Sequence, residues 1–275
     1  MGNLKRRILT AIALLIPLIA ALYLLPTVWL VPLFGIVVFA AALEWAALIG
    51  LRGTGRVSYA LIIVGLGTAL TLAVLGRPAL VWPVLWVAAA WWLWAFIELG
   101  RDRGLYYRRF TQALAGALVL IPMWVGAIFL HAADAQRPLA LLFVLVAVWV
   151  ADSLAYFAGK NFGRTKLAPR VSPGKTVEGV LGALVGVVLM AYLYGTIPLR
   201  FEGMRLAGWL GLAMFVTLVS VLGDLAESKV KRVAGVKDSG TLLPGHGGVL
   251  DRIDALTAAI PIFALGWLML SHIPT

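Results

Sequence analysis

The stretch Asp224-Leu225-Ala226-Glu227-Ser228-Lys229-Val230-Lys231-Arg232-Val233-Ala234-Gly235-Val236-Lys237-Asp238-Ser239-Gly240-Thr241-Leu242-Leu243-Pro244-Gly245-His246-Gly247-Gly248-Val249-Leu250-Asp251-Arg252-Ile253-Asp254 decides how the rest of the chain is read. It joins two long apolar segments, yet it carries five of the twelve acidic residues and five of the twenty-three basic ones. If the apolar run before it is a helix, Asp224 and Ser228 lie four apart and project from one face. At the far end Asp251 and Asp254 are three apart in the first turn of the next helix, where the positive end of the macrodipole favours anionic side chains. Short carboxylates with a hydroxyl form a hard oxygen set suited to a magnesium ion that holds a phosphate. Between them Lys229, Lys231, Arg232 and Lys237, with the glycine-rich run from Pro244 to Gly248, offer cations and exposed backbone amides, which are what a triphosphate needs.

Outward from this stretch the chain is apolar. Hydrophobic residues make up 62% of it and charged residues 13%, against about 25% charged in a soluble globule. An all-α integral membrane protein is predicted. Runs of membrane-crossing length, about 20 residues, occur at 8–25, 28–50, 57–76, 79–98, 111–131, 138–159, 177–197, 205–227 and 250–271, so nine spans are expected. The breaks at Pro26 and at Arg77-Pro78 leave two readings open for the helices beside them, a tight turn or a re-entrant hairpin. The net charge of +11 does not point to nucleic acid, because no soluble basic domain exists to bind it. Without cysteine there is no disulfide framework and no thiol nucleophile.

Lys and Arg accumulate in short cytoplasmic loops. With nine spans, every basic residue except Arg77, Arg137, Arg200 and Arg205 falls on one side. That side is expected to be the cytoplasm, with the amino terminus inside and the carboxyl terminus outside. The opening Lys5-Arg6-Arg7 and its apolar run resemble a secretory signal, and are read as a retained signal anchor because their removal leaves no soluble domain to export. An amino-terminal region of about five spans, residues 1–135, is followed by a catalytic region, residues 136–275, with cytoplasmic loops at 159–177 and 228–250; the reaction is expected at the cytoplasmic ends of the last four helices.

The same topology places every acid except Asp134 and Glu202 near the cytoplasmic face. Asp152 lies about 10 Å into its span at helical rise. A charge at such depth costs roughly 2.5–3.5 kcal/mol and implies a partner, a water-filled cavity or a function. Asp152, Asp224, Asp251 and Asp254 are expected to converge at one inner mouth. In loop 159–177, Ser172 is expected to cap the seventh helix, beside Lys175 and Thr176. Gly174-Lys175-Thr176 is no Walker motif, lacking the upstream glycine and a preceding strand. Plainer readings stand beside these. Gly179, Gly182 and Gly186 serve close helix packing; Trp82, Trp86, Trp91, Trp92 and Trp94 are lipid-facing or interfacial; Glu44, Glu98 and Glu227 are members of interfacial ion pairs.

These residues resemble a known family, the phosphatidate cytidylyltransferases or CDP-diacylglycerol synthases. Its signature is met without a gap by Ser228, Val230, Lys231-Arg232, Lys237-Asp238, Gly240, Leu243-Pro244, His246-Gly247-Gly248, Val249, Asp251-Arg252 and Ile253-Asp254. Asp152-Ser153 and the run Ser172 to Gly179 are similar too, with Gly174 where the family commonly has a second basic residue. The resemblance implies cytidylyl transfer from CTP to phosphatidic acid in phospholipid biosynthesis, with Mg2+ and a second, monovalent cation such as K+, in a homodimer. The Ala-, Leu- and Arg-rich, cysteine-free composition suits a bacterial inner membrane. Asp224, Ser228, Asp251 and Asp254 are expected to hold the metal. Lys229, Lys231, Arg232, Lys237 and Arg252 would clamp phosphates, and Asp152, Lys166, Ser172, Lys175 and Thr176 would place the nucleotide or the lipid. His246 would hydrogen-bond a phosphate oxygen, a general base being unnecessary for a phosphate nucleophile. An ion-coupled transporter, the rival from another class, predicts acids on both sides of the midplane and an inverted repeat; here the acids crowd one face.

Overall fold

A computed structural model describes residues 13, 15–101, 108–134, 138–242 and 247–271. Lys5, Arg6 and Arg7 of the expected signal anchor and His246 of the signature lie outside these residues. Among the described residues there are nine helices: α1 (Leu15–Leu24), α2 (Thr27–Leu48), α3 (Gly53–Gly76), α4 (Val81–Leu99), α5 (Arg109–Ala133), α6 (Leu139–Phe162), α7 (Val177–Thr196), α8 (Gly203–Val233) and α9 (Leu250–Leu270). Eight of them, α2 to α9, are long and apolar enough to cross a membrane, and the chain is an all-helical integral membrane protein. The expected span at 8–25 is represented by the shorter α1.

The helix breaks follow backbone chemistry. Pro26 separates α1 from α2 with φ −54° and ψ 146°, an extended conformation. Gly50 and Gly53 turn the chain between α2 and α3 at φ 82° and 52°, a region open to glycine at little cost. Arg77 leads into a three-residue 3-10 turn, Pro78–Leu80, before α4. Both open cases are therefore tight turns between helices, with no re-entrant hairpin among the described residues.

Helix α9 stands at the centre, packed on α2, α4, α5, α6 and α8. Every residue from Ala255 to Leu265 is buried, the condition in which a helix is apolar all round. One core therefore serves both halves of the chain. The periphery shows the opposite pattern: Leu181, Val185, Leu189 and Tyr192 form an exposed stripe on α7, spaced as one helical face, as lipid requires. Gly182 and Gly186 face α6, where an added methyl group would overlap Ala158 and Leu154; the close packing read from their spacing holds. The tryptophans divide. Trp86 and Trp94 are exposed, but Trp91 and Trp92 are buried, because α4 turns that face toward α5 and α9.

Loop 159–177 departs from expectation. It folds as an antiparallel hairpin of β1 (Lys166–Ala168) and β2 (Ser172–Thr176), pairing Lys166 with Thr176 and Ala168 with Ser172. Ser172 therefore lies in a strand and does not cap α7. The cap is Thr176, whose Oγ1 accepts a hydrogen bond from Gly179 N at 3.1 Å, while Glu178 in the first turn accepts from the backbone N–H groups of Arg164 and Thr165. Thr176→Ala is expected to cost about 1 kcal/mol, read as a lowered thermal midpoint in detergent.

Candidate active site

Two sequence regions meet at one end of the bundle. Along α8, Ser228 donates to Asp224 Oδ1 at 3.2 Å, which confirms that the two residues share a face. The other oxygen, Asp224 Oδ2, lies 2.7 Å from Lys175 Nζ at the end of β2. The side chains of this pair are 23% and 27% exposed, so the ion pair remains open to solvent. Arg232 adds a second tie, donating from Nε to Val171 O at 3.3 Å. The hairpin loop and the signature thus lie together, as the sequence predicts.

Asp251, in the first turn of α9, organises the other side. Its Oδ1 takes Lys231 Nζ at 2.7 Å, and Oδ2 accepts from Ser239 N at 3.0 Å and Gly248 N at 2.8 Å. Lys231 also lies 2.5 Å from Glu227 Oε2, one helical turn back. Neither oxygen of the buried Glu227 has a partner in hydrogen-bond geometry; the contact with Lys231 is an ion pair only. Asp254 points its Oδ1 at Ala255 N, 2.7 Å away. Asp152 lies within electrostatic reach of Asp224, Asp254 within reach of Asp224 and Glu227, and Glu227 within reach of Asp251. Lys175 and Arg252 lie within electrostatic reach of Asp152 as well.

Among the described residues no three acidic or histidine side chains converge as a finished metal cage. Magnesium does not need one, since it usually takes one or two carboxylates together with waters and substrate phosphates. Asp224 and Ser228 fit that mode, with Asp254 beside them and one oxygen of buried Glu227 unsatisfied. The donors are all oxygen, which suits a hard cation. Asp251 fits less directly, because both of its oxygens are already engaged.

The cations separate into two groups. Lys229 and Lys231, expected in the phosphate clamp, are both buried, because α8 at this level meets the end of α4 and the first turn of α9. Lys229 Nζ donates to the carbonyls of Leu99 and Arg101, at 2.7 and 2.5 Å, and so ties α8 to the end of α4. Lys231 is held between two carboxylates. Lys166, Arg232, Lys237 and Arg252 stay exposed. Thr176 is buried and spends its hydroxyl on the cap of α7.

Two of the three glutamates expected in ion pairs behave so, Glu98 with Arg101 and Glu227 with Lys231. Glu44 does not. It is 1% exposed, and its carboxylate accepts from Ser239 Oγ at 2.9 Å, Val249 N at 3.1 Å and Leu250 N at 2.8 Å. Nothing near Glu44 in sequence announces partners some 200 positions away; only its depth in an apolar run was a signal.

The model of the cytidylyltransferase family matches residues 5–270. A phosphatidate cytidylyltransferase of Pseudomonas aeruginosa is 43% identical over 268 residues, covering 95% of this chain and 96% of the relative. One of Haemophilus influenzae is 36% identical over 284 residues, with 95% and 97% covered. One of Thermotoga maritima is 47% identical over 124 residues, 44% of this chain and 46% of its own. With the match extending along both chains and through the helices that build the site, the protein belongs to the cytidylyltransferase family, among its phosphatidate cytidylyltransferases.

Proposed function

We propose that the chain transfers the cytidylyl group of CTP to phosphatidate at the end of the bundle where Lys175 meets Asp224, yielding CDP-diacylglycerol and pyrophosphate. A phosphate oxygen of the lipid attacks the α-phosphorus of CTP, the bond from that phosphorus to the β-phosphate oxygen breaks, and pyrophosphate leaves with the electron pair. Both reactants are anions, so catalysis consists of charge neutralisation and alignment. Asp224, Ser228 and Asp254 would hold a magnesium ion, which neutralises phosphate charge when bound. Asp251 orients Lys231 and the signature loop, and joins the metal set only by releasing them. Lys166, Lys175, Arg232, Lys237 and Arg252 bind phosphates, Lys175 exchanging Asp224 for substrate. Asp152, near Lys175 and Asp224, and Ser172, in the hairpin, place the nucleotide or the lipid phosphate. His246, in the signature, hydrogen-bonds a phosphate oxygen.

The observation that carries this reading is the contact between the two polar loops across Lys175 and Asp224, in a chain whose family membership extends over both. The site end faces the cytoplasm of a bacterial inner membrane, with the amino terminus inside and the carboxyl terminus outside, as the basic residues indicate. The chemistry belongs to residues 136–275. A homodimer is tested by mass in detergent.

Purified protein given CTP, magnesium and phosphatidate is expected to release pyrophosphate and CDP-diacylglycerol in equal amounts. Chelation of the divalent ion is expected to stop both. Cation flux in liposomes without CTP turnover overturns the reading in favour of a transporter.

A further inference from the structure

We infer that Glu44 is a positioning residue for the transfer reaction: from the amino-terminal half of the chain it clasps both ends of the 239–250 signature loop and so sets the placement of Asp251, Arg252 and Asp254. The inference rests on the proposed reaction for its kinetic readout alone.

Helix α9 begins at Leu250 behind Val249, whose side chain has no oxygen with which to cap it. The first amides of a helix lack intrahelical acceptors. Glu44 supplies the missing acceptor from α2, with Oε1 on Val249 N and Oε2 on Leu250 N. Its Oε2 also accepts from the Ser239 hydroxyl at the other end of the loop. Asp251 holds the same two ends through different donors, Ser239 N and Gly248 N. Two carboxylates from opposite halves of the protein thus hold the two ends of one loop together. A buried carboxylate is stable only when hydrogen-bonded or paired, and here three donors of the loop satisfy Glu44.

Two glycines of the signature gain a reason. A methyl group at Gly240 would overlap Glu44 Oε1, and one at Gly248 would overlap both Glu44 Oε2 and the Ser239 hydroxyl. Both positions are small because the backbone there lies directly against this carboxylate. Partners that orient a site's own ligands are each worth about 10–100-fold in activity. A glutamine at 44 keeps the shape but aims one N–H group at other N–H donors.

The test combines kinetics with hydrogen exchange on the full-length protein in detergent. Glu44→Gln is expected to lower kcat about 10–100-fold while KM for CTP changes less than about threefold, since Lys166, Lys175 and Arg232, three of the cations proposed to bind phosphate, lie outside the clasp. Exchange at amides 247–251 is expected to rise about tenfold or more, with protection in α5 and α7 unchanged, because only the cap is lost. Ser239→Ala, which leaves the caps in place, gives a smaller loss in the same direction. The double variant is no worse than Glu44→Gln alone, because both substitutions open one clasp. Wild-type kcat in Glu44→Gln, fully additive losses, or loss of protection throughout the bundle in both single variants each overturns the inference. Absence of CDP-diacylglycerol from the wild-type protein would defeat the proposed reaction, whereas unchanged exchange at 247–251 defeats the clasp.

Discussion

Asp224→Asn is expected to lower turnover by at least about 100- to 1,000-fold, the scale on which removing one group that stabilises transition-state charge acts, while the fold survives. Asparagine keeps the size of the side chain and can still accept from Ser228. It loses the charge that Lys175 meets at 2.7 Å and that a magnesium ion requires. The partly exposed ion pair contributes no more than about 1 kcal/mol to stability, so the thermal midpoint should move little. Raised magnesium is expected to recover part of the activity. Wild-type turnover with unchanged magnesium dependence contradicts the assignment.

Lys231→Met is expected to act on the fold itself. One ammonium sits between Glu227 and Asp251 at 2.5 and 2.7 Å, with side-chain exposures of 10%, 3% and 7%. Removing it leaves two buried carboxylates facing each other, and breaking a buried pair from one side costs about 3–5 kcal/mol. The thermal midpoint in detergent should fall sharply. Glu227→Gln added to Lys231→Met removes one uncompensated charge and is expected to return much of the loss. A single variant as stable as wild type shows that the three groups are not coupled as the geometry implies.

Much of this arrangement was legible because it is local. Asp224 and Ser228 share a helical face by spacing alone, and Gly182 and Gly186 mark a close approach by the same rule. The division of cations into buried and exposed was not legible. Lys229, Lys231 and Arg232 are neighbours in sequence, but α8 is enclosed at this level, and a helix turns adjacent residues about 100° apart. Lys229 therefore meets the end of α4, Lys231 meets Asp251, and Arg232 meets the hairpin. The cap of α7 was misplaced for a related reason. Ser172 and Thr176 can both cap, and pairing with β1 draws Ser172 into a strand, which leaves Thr176 at the helix start.

The sequence by itself determined that the chain lives in a bilayer, how its apolar helices divide, and that its two polar loops lie at one end of the bundle, because hydropathy and helical spacing act over a few turns. Only the tertiary structure decided which charges stay exposed and which hold the protein together. That choice depends on what packs against each helix face. The carboxylate of Glu44 closes on Val249 and Leu250 across some 200 residues of chain, and no local pattern carries information over that distance.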